Sequence, residues 1–145
     1  MKYKTDLVID NIENTTIKKS SIHGLGLFAT KTIPKGTLLT TLDGQEVTWD
    51  KFDEIKKFYY KHFKNNEFHF FLEWNAVSQT TLLVRPLRTK YSFINHSRNP
   101  NLSIDIRSYK ITALKTINKD EELFLDYREQ PLRKEYLNGH GATYL

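Results

Sequence analysis

Three short segments of the chain carry the residues best suited to chemistry. Gly24 and Gly26 stand one residue apart, residues 95–101 read Asn-His-Ser-Arg-Asn-Pro-Asn, and residues 122–127 end in a tyrosine, Tyr127. Paired glycines let a backbone lie close against a ligand because no Cβ stands in the way. A tyrosine hydroxyl can donate and accept hydrogen bonds without carrying a charge of its own. Together these residue types indicate binding and positioning chemistry.

The glycine segment also matches the G-x-G-x-x-A fingerprint of dinucleotide-binding proteins. That fingerprint requires a long helix after the glycines, whose N-terminus holds a pyrophosphate. Here Thr30, Thr32 and Ile33 are β-branched, and residues 34–36 (Pro-Lys-Gly) stop any helix. The dinucleotide interpretation is therefore excluded, while a tight turn without a ligand remains the plain alternative.

The histidine segment allows several interpretations when it is taken alone. His96 has no carboxylate or histidine partner at helical spacing, and Ser97 is directly adjacent, so a metal site and a nucleophile-base pair are both disfavoured. A polar turn after a buried strand explains residues 99–101 (Asn-Pro-Asn) equally well. Tyr127 by itself would ordinarily be a packing residue.

In their order along the chain, the three segments resemble the signature motifs of the SET-domain protein methyltransferases, over about residues 17–127. The resemblance implies an enzyme, a protein-lysine N-methyltransferase that uses S-adenosylmethionine and acts on a protein or peptide. It assigns Tyr127 to the channel in which the methyl group is transferred. It also implies that main chain and side chains of two segments bind the cofactor: His23, Gly24, Leu25, Gly26, Asn95 and His96.

The chain departs from that family at several positions. Leu42, Ile104 and Leu125 stand where many members place aromatic channel residues, and Ser92 replaces a frequent arginine. Either the channel is wider, or other aromatic side chains complete it. The candidates for that completion are Tyr60, Phe70, Trp74 and Tyr144.

No cysteine is present, which excludes disulfides and a thiolate zinc site, so we expect no metal. The family's zinc-binding segment is therefore missing. Residues 128–145, with Tyr144, are the candidate for a lid in its place. A frayed terminus is the alternative interpretation of the same segment.

Hydrophobic periodicity predicts a mostly β chain with one main helix. Apolar residues recur at helical spacing only over residues 48–64, and Pro131 suggests a short second helix over residues 131–137. Alternation on both sides of residues 107–108 predicts a β-hairpin. The sequence of residues 29–39 is partly repeated in residues 113–123. This internal repeat predicts two related β-units packed about a pseudo-twofold axis.

The resemblance implies a SET-type β-clip fold of small sheets, in which the two C-terminal motifs cross in a knot-like arrangement. The expected organisation is an N-terminal extension over residues 1–16, the SET domain over residues 17–127 with its helical insert, and the tail over residues 128–145. A chain of 145 residues is consistent with one such domain.

The composition gives little information about the binding partners of the protein. The formal charge of +5 favours an acidic or nucleic-acid-associated partner, although the lysines are scattered. Without a signal-like or membrane-spanning apolar run, the expectation is a soluble cytoplasmic protein that does not enter a membrane. Two other functions compete with the enzyme: a catalytically silent module that binds cofactor or peptide, and a small basic nucleic-acid binder.

Overall fold

The computed structural model describes residues 5–63 and 72–145 of the chain. This part contains ten short strands and one long helix, and more of its residues lie in strands than in helices, which confirms the prediction of a mostly β fold. The helices are α1 (Trp49–His62) and α2 (Lys134–Asn138). The strands are β1 (Thr15–Lys19), β2 (Leu25–Ala29), β3 (Leu38–Thr41), β4 (Gln45–Thr48), β5 (Glu73–Ala76), β6 (Thr81–Arg85), β7 (Asn95–His96), β8 (Leu102–Asp105), β9 (Lys110–Ala113) and β10 (Phe124–Leu125).

The strands form small sheets. β1 pairs with β2, β9 pairs with both β3 and β8, and β6 pairs with both β4 and β5, all in antiparallel register. β7 and β10 pair in parallel, with Asn95 opposite Phe124 and His96 opposite Leu125. Parallel neighbours need a long crossover connection, which here contains the β8–β9 hairpin. The parallel pair therefore brings the second and third motifs side by side, as expected from their predicted crossing.

Helix α1 begins where the sequence predicts. The Thr48 side chain accepts a hydrogen bond from the Lys51 backbone N–H at 3.2 Å, which satisfies a free donor of the first turn. Trp49 and Phe52 are buried against β5 and β6. Phe58, in contrast, is 59% exposed, whereas Tyr59 is partly buried against the same cluster as Trp49 and Phe52. The sheet strands are four or five residues long and do not extend under the whole helix.

The predicted hairpin is confirmed, and its turn places Tyr109 at φ +58°. The predicted pseudo-twofold relation is also confirmed by reciprocal hydrogen bonds. Ile33 and Ile117 exchange both backbone bonds, at 2.8 and 2.9 Å. The Gly36 N–H donates to Ala113, and the equivalent Asp120 N–H donates to Ala29, each at 2.8 Å. Gly36 and Asp120 both have positive φ, +82° and +69°, as the matching turns require.

The main core lies between these β-units. Its fully buried members come from β2, β8, β9, β10 and the paired turns, and include Leu27, Leu102, Ile111, Ile117 and Leu125. A second, aromatic cluster lies under α1 around Trp49 and Phe52. The two clusters flank the region in which the three motifs meet.

The second helix differs from its prediction at its start. Lys134 is its first residue, three positions after Pro131, because the backbone at Arg133 is still extended with ψ 151°. Leu132, two residues before the helix, is buried in the aromatic cluster with an exposed fraction of 5%. The helix ends at Gly139, as predicted. In the part of the chain that the structure describes, no helix has the length and apolarity needed to cross a membrane.

We predict that Ile117→Ala lowers the free energy of unfolding by about 2–5 kcal/mol, because it leaves a cavity at a fully buried position. Leu114→Ala, at a side chain 42% exposed and three residues away, is the matched control and is expected to cost about 0.5 kcal/mol. Urea unfolding of both variants measures the difference. Equal losses would show that the paired turns do not hold the core together.

Candidate functional site

A cleft beside the motifs has a volume of about 540 Å³. It lies between the glycine loop, the β7 segment and the C-terminal tail. Its lining combines residues of the glycine loop and of the two other motifs with Ser92 and three residues of the tail: Ile22, His23, Ser92, Asn95, His96, Tyr127, His140, Thr143 and Tyr144. This cleft is called the large cleft below.

The two glycines of the first motif have different surroundings. Gly24 has φ +50°, and a Cβ added there would meet no atom within 4 Å, so the backbone faces open space. At Gly26, a Cβ would stand 2.1 Å from the Glu122 carboxylate oxygen and 3.2 Å from the Asn95 amide nitrogen. Gly24 therefore leaves room for a ligand, whereas Gly26 leaves room for two side chains of the protein. Leu25, between them, is partly buried against the main core.

Asn95 fixes the glycine loop. Its amide nitrogen lies 2.8 Å from Oε1 of Glu122, 3.2 Å from the Leu25 carbonyl and 3.3 Å from the His23 carbonyl. An amide carries two hydrogens, so three oxygens share two donors. The side chain thus ties the second motif to both of the others.

Glu122 holds the same loop from the third motif. Its second oxygen accepts from the Ser20 hydroxyl at 3.0 Å, and that hydroxyl in turn accepts from the backbone N–H of Ile22 and of His23. The sequence analysis gave no role to Ser20 or Glu122. The signal that could have found them is Gly26, whose missing side chain makes space for a partner of the opposite motif.

Asn101 was interpreted from sequence as a turn residue only. The structure buries it, and its amide donates to the Glu122 carbonyl at 2.7 Å while its oxygen accepts from the Phe124 N–H at 2.8 Å. The Asn101 side chain therefore bonds the main chain on both sides of Leu123, as a neighbouring strand would. It fixes the register of the third motif against the second.

His96 lies under the large cleft with its Nδ1 accepting from the Tyr127 backbone N–H at 3.1 Å. This bond needs an unprotonated Nδ1. Burial, together with the positive charges of Arg128 and Arg98, lowers the pKa of His96, and the Asp126 charge only partly opposes this effect. The neutral imidazole is therefore the form that supports Tyr127.

Asp126 anchors the segment around Tyr127. Its carboxylate accepts from the Arg128 side chain at 2.5 and 2.8 Å and from the Arg128 backbone N–H at 3.0 Å. These hydrogen bonds lower the pKa of Asp126 to about 2. The carboxylate stays charged through the physiological range and keeps the turn after β10 closed.

The Tyr127 hydroxyl donates a hydrogen bond to the Ile94 carbonyl. Burial, followed by the neighbouring Tyr91 and Tyr144 hydroxyls, raises the pKa of Tyr127 above its ordinary value. The phenol is therefore neutral at neutral pH. Because its proton is committed to Ile94, its oxygen is left to accept a hydrogen bond from a ligand in the cleft.

A second, smaller cleft of about 160 Å³ adjoins the first. Ser92, Tyr127 and Tyr144 line both, so the two clefts meet at the Tyr127 ring. The rest of its wall is mostly aromatic or polar: Leu72, Glu73, Trp74, Arg88, Tyr91, Gln130, Leu132 and Tyr136. This cleft is called the small cleft below.

A buried polar network supports the wall of the small cleft. Arg85 donates to Glu73 at 2.6 Å, to Asn75 at 2.5 Å and to the Asp43 carbonyl at 2.8 Å. Asn75 donates to the Tyr91 hydroxyl, and burial raises the pKa of that hydroxyl to about 12. The ion pair is 4% and 3% exposed and has all these partners, which is the condition for burying charge without a large penalty.

The C-terminal tail packs over both clefts. The Tyr136 ring lies 5.5 Å from the Trp74 ring and 6.3 Å from the Trp49 ring. The Tyr136 and Tyr144 hydroxyls are hydrogen-bonded, and the Tyr144 ring meets that of Tyr127 edge-on at 6.3 Å. Arg98 donates to the carbonyl of Leu145 at 2.9 Å. The tail is docked by these contacts, as a lid requires.

The three aliphatic residues expected in the channel are not among the residues that line the two clefts. Leu42 and Leu125 are buried in the main core, with exposed fractions of 4% and 0%, and Ile104 packs against that core. The structure thus places them in the packing around the site, because their strands turn these side chains inward.

The four aromatic residues that were candidates for completing the channel lie in different parts of the chain's structure or outside the described residues. Trp74 and Tyr144 line the small cleft, and Tyr60 is 50% exposed on α1. Phe70 lies outside the described residues. Within residues 5–63 and 72–145, no group of three or more histidine and acidic side chains is placed to hold a metal ion.

Comparison with known proteins agrees with this arrangement. The chain is similar to the histone-lysine N-methyltransferase trr of Drosophila melanogaster, 33% identical over 121 residues that cover 79% of the chain and 5% of that protein. It is 32% identical to the histone-lysine N-methyltransferase trithorax of Drosophila virilis over 134 residues, 88% of the chain and 3% of that protein.

A third relative is the histone-lysine N-methyltransferase, H3 lysine-4 specific, of Aspergillus oryzae, with 30% identity over 116 residues that cover 76% of the chain. The chain spans only 9% of that protein's length, so it matches a small part of each of these relatives. The family model described as SET domain matches residues 24–128, which include all three motifs. The chain belongs to the SET-domain family.

Proposed function

We propose that this chain transfers a methyl group from S-adenosylmethionine to a lysine side chain of a protein. The observation that carries the proposal is the position of Tyr127, which lines both clefts and donates its proton to Ile94. The relatives are histone-lysine N-methyltransferases by name, which supports a protein lysine as the acceptor.

The large cleft fits the cofactor. Its volume of about 540 Å³ is within the range of small-molecule sites, about 300–1,000 Å³. The open backbone at Gly24 allows close approach of the cofactor. The His96 and Tyr127 rings offer flat surfaces, and their ring centres lie 5.4 Å apart. His23, Asn95 and His96 would hold the cofactor there, with His140 of the tail covering it.

When bound, the cofactor supplies a methyl group on a positively charged sulfur. The acceptor amine must be neutral to attack it, whereas a free lysine has a pKa of about 10.4. The aromatic side chains near Tyr127 lower the pKa of a lysine amine by removing water from it. In the transfer, the methyl carbon–sulfur bond breaks as the carbon–nitrogen bond forms, the sulfur becomes a neutral thioether, and the amine later loses one proton to solvent.

The protein contributes positioning more than acid–base chemistry. The Tyr127 oxygen accepts one N–H of the amine, which turns the nitrogen lone pair toward the large cleft. Fixing two reactants in one geometry removes much of the entropic barrier to an in-line displacement. Because Tyr127 stays a neutral phenol, the amine itself has to be deprotonated by desolvation.

We expect Tyr127→Phe to lower the rate of methyl transfer by about 10²-fold, because a misplaced nucleophile loses that much even when packing is kept. Tritium transfer from labelled cofactor to a protein mixture measures the rate, and mass spectrometry identifies the modified lysine. Tyr109→Phe is the control, since its hydroxyl contacts Glu46 at the surface, away from both clefts. An unchanged rate for Tyr127→Phe would contradict the proposal.

We expect Asn95→Asp to weaken cofactor binding about tenfold or more. In the variant, a carboxylate without N–H donors faces the three oxygens that accept hydrogen bonds from Asn95 in the wild type. Leaving such groups unpaired costs about 1–3 kcal/mol. Calorimetry with the cofactor gives the affinity, with Asn99→Asp on the exposed turn as the control. Binding by wild type without turnover on any substrate would instead indicate a silent module.

The His96 environment predicts a pH effect. Its pKa is lowered in the fold, so His96 contributes stability above its unfolded pKa of about 6.5 and loses that contribution as the pH falls toward the lower folded pKa. His96→Gln keeps an acceptor for the Tyr127 N–H but cannot be protonated. Urea unfolding at pH 8 and pH 5 should therefore show a larger loss of stability in wild type than in the variant, and equal losses would contradict this role.

A further inference from the structure

Arg88 stands out among the residues of the small cleft because its guanidinium has no hydrogen-bond or ion-pair partner among the described residues. Its Nε is buried without an acceptor. The other arginines around the site each have an ionic partner: Arg85 pairs with Glu73, Arg128 with Asp126 and Arg133 with Asp53, although Nε of Arg133 is buried without an acceptor as well. An unmatched donor of this kind costs free energy unless a ligand supplies the acceptor.

The position of Arg88 is nevertheless fixed. Its carbonyl accepts from the Ile9 N–H at 2.9 Å, and the next residue, Thr89, donates its N–H to Glu73 at 3.1 Å. The guanidinium carbon lies 5.9 Å from the centre of the Phe93 ring. The backbone on both sides is held by hydrogen bonds, so the side chain is presented to the small cleft from a rigid base.

Among the described residues that line the small cleft, Glu73 is the one acidic side chain, and it does not neutralise Arg88. Its oxygens accept from Arg85, Thr89 and Ser92, and the charge of Arg85 balances it at 2.6 Å. The wall therefore carries one unbalanced positive charge, that of Arg88. Nε of this guanidinium is buried without a partner, and Arg88 is one of the residues that line the small cleft.

We propose that Arg88 is a specificity residue that binds a carboxylate of the substrate, so that the enzyme selects lysines flanked by an aspartate or glutamate. The inference rests on the proposed function, since it takes the small cleft as the entrance for the lysine. A planar guanidinium pairs a carboxylate through two parallel hydrogen bonds, the geometry that suits Arg88. The formal charge of +5 on the chain adds long-range attraction for an acidic substrate.

The test measures peptide binding separately from turnover. Fluorescein-labelled peptides with one central lysine carry a single glutamate, or the matched glutamine, at each flanking position in turn. Fluorescence anisotropy with wild type should show at least about tenfold tighter binding for the glutamate peptide at one position, the usual gain of a charge-assisted pair. Equal binding of glutamate and glutamine peptides at all positions would overturn the inference.

Two variants assign the preference to Arg88. Arg88→Gln should bind both peptides equally, and Arg88→Glu should prefer a peptide with a flanking lysine or arginine. Arg107→Gln removes the same charge from the exposed β8–β9 turn and should keep the wild-type preference. A preference retained in Arg88→Gln, or lost in Arg107→Gln, would show that overall charge and not Arg88 is responsible.

The same peptides distinguish this inference from the proposed function. Methylation of glutamate and glutamine peptides with equal binding and equal kcat/KM would leave the methyltransferase standing and overturn the role of Arg88. A binding preference that depends on Arg88, with no methylation of any peptide or protein pool, would support the role of Arg88 as a carboxylate receptor and contradict the enzyme. Loss of cofactor affinity in Arg88→Gln would also overturn the inference, because it would place Arg88 at the large cleft.

Discussion

The shared hydrogen bonds of Asn95 hold the site together. This one amide joins the glycine loop to the third motif, through the His23 and Leu25 carbonyls and the Glu122 carboxylate. The arrangement is possible only because residue 26 has no side chain. The side chain joins its own segment to carbonyls 72 and 70 residues earlier in the chain and to a carboxylate 27 residues later.

The pseudo-twofold β-units supply the rigid support for this junction. The exchanged bonds of Ile33 and Ile117, and the matching turns at Gly36 and Asp120, fix the β-units on both sides of the main core. The parallel pair of β7 and β10 then extends from that core toward the clefts, with Asn101 bonded along its edge. A short parallel pair would be weak alone, and burial of Leu125 beside it provides the packing that keeps it in place.

The tail and the aromatic cluster have a different role, because their residues form part of the walls of the clefts. Tyr136 packs against both Trp49 and Trp74, and Tyr144 reaches the Tyr127 ring. The tail is held without cysteine in this chain. Ring packing and one Arg133–Asp53 ion pair at 2.9 Å hold it here. Aromatic contacts of this kind add stabilisation beyond the area that they bury.

The sequence by itself determined the mostly β class, the start of α1 at Thr48, the hairpin at residues 107–108 and the paired turns, since each follows from short-range periodicity or turn chemistry. It also named the motif residues that share the large cleft, although only by resemblance to a family. Tertiary structure alone decided the roles of Ser20, Glu122 and Asn101, the burial of Leu42 and Leu125, and the unpaired state of Arg88. Those properties depend on which distant side chain fills a given space, and strand or helix periodicity contains no information about partners across the fold.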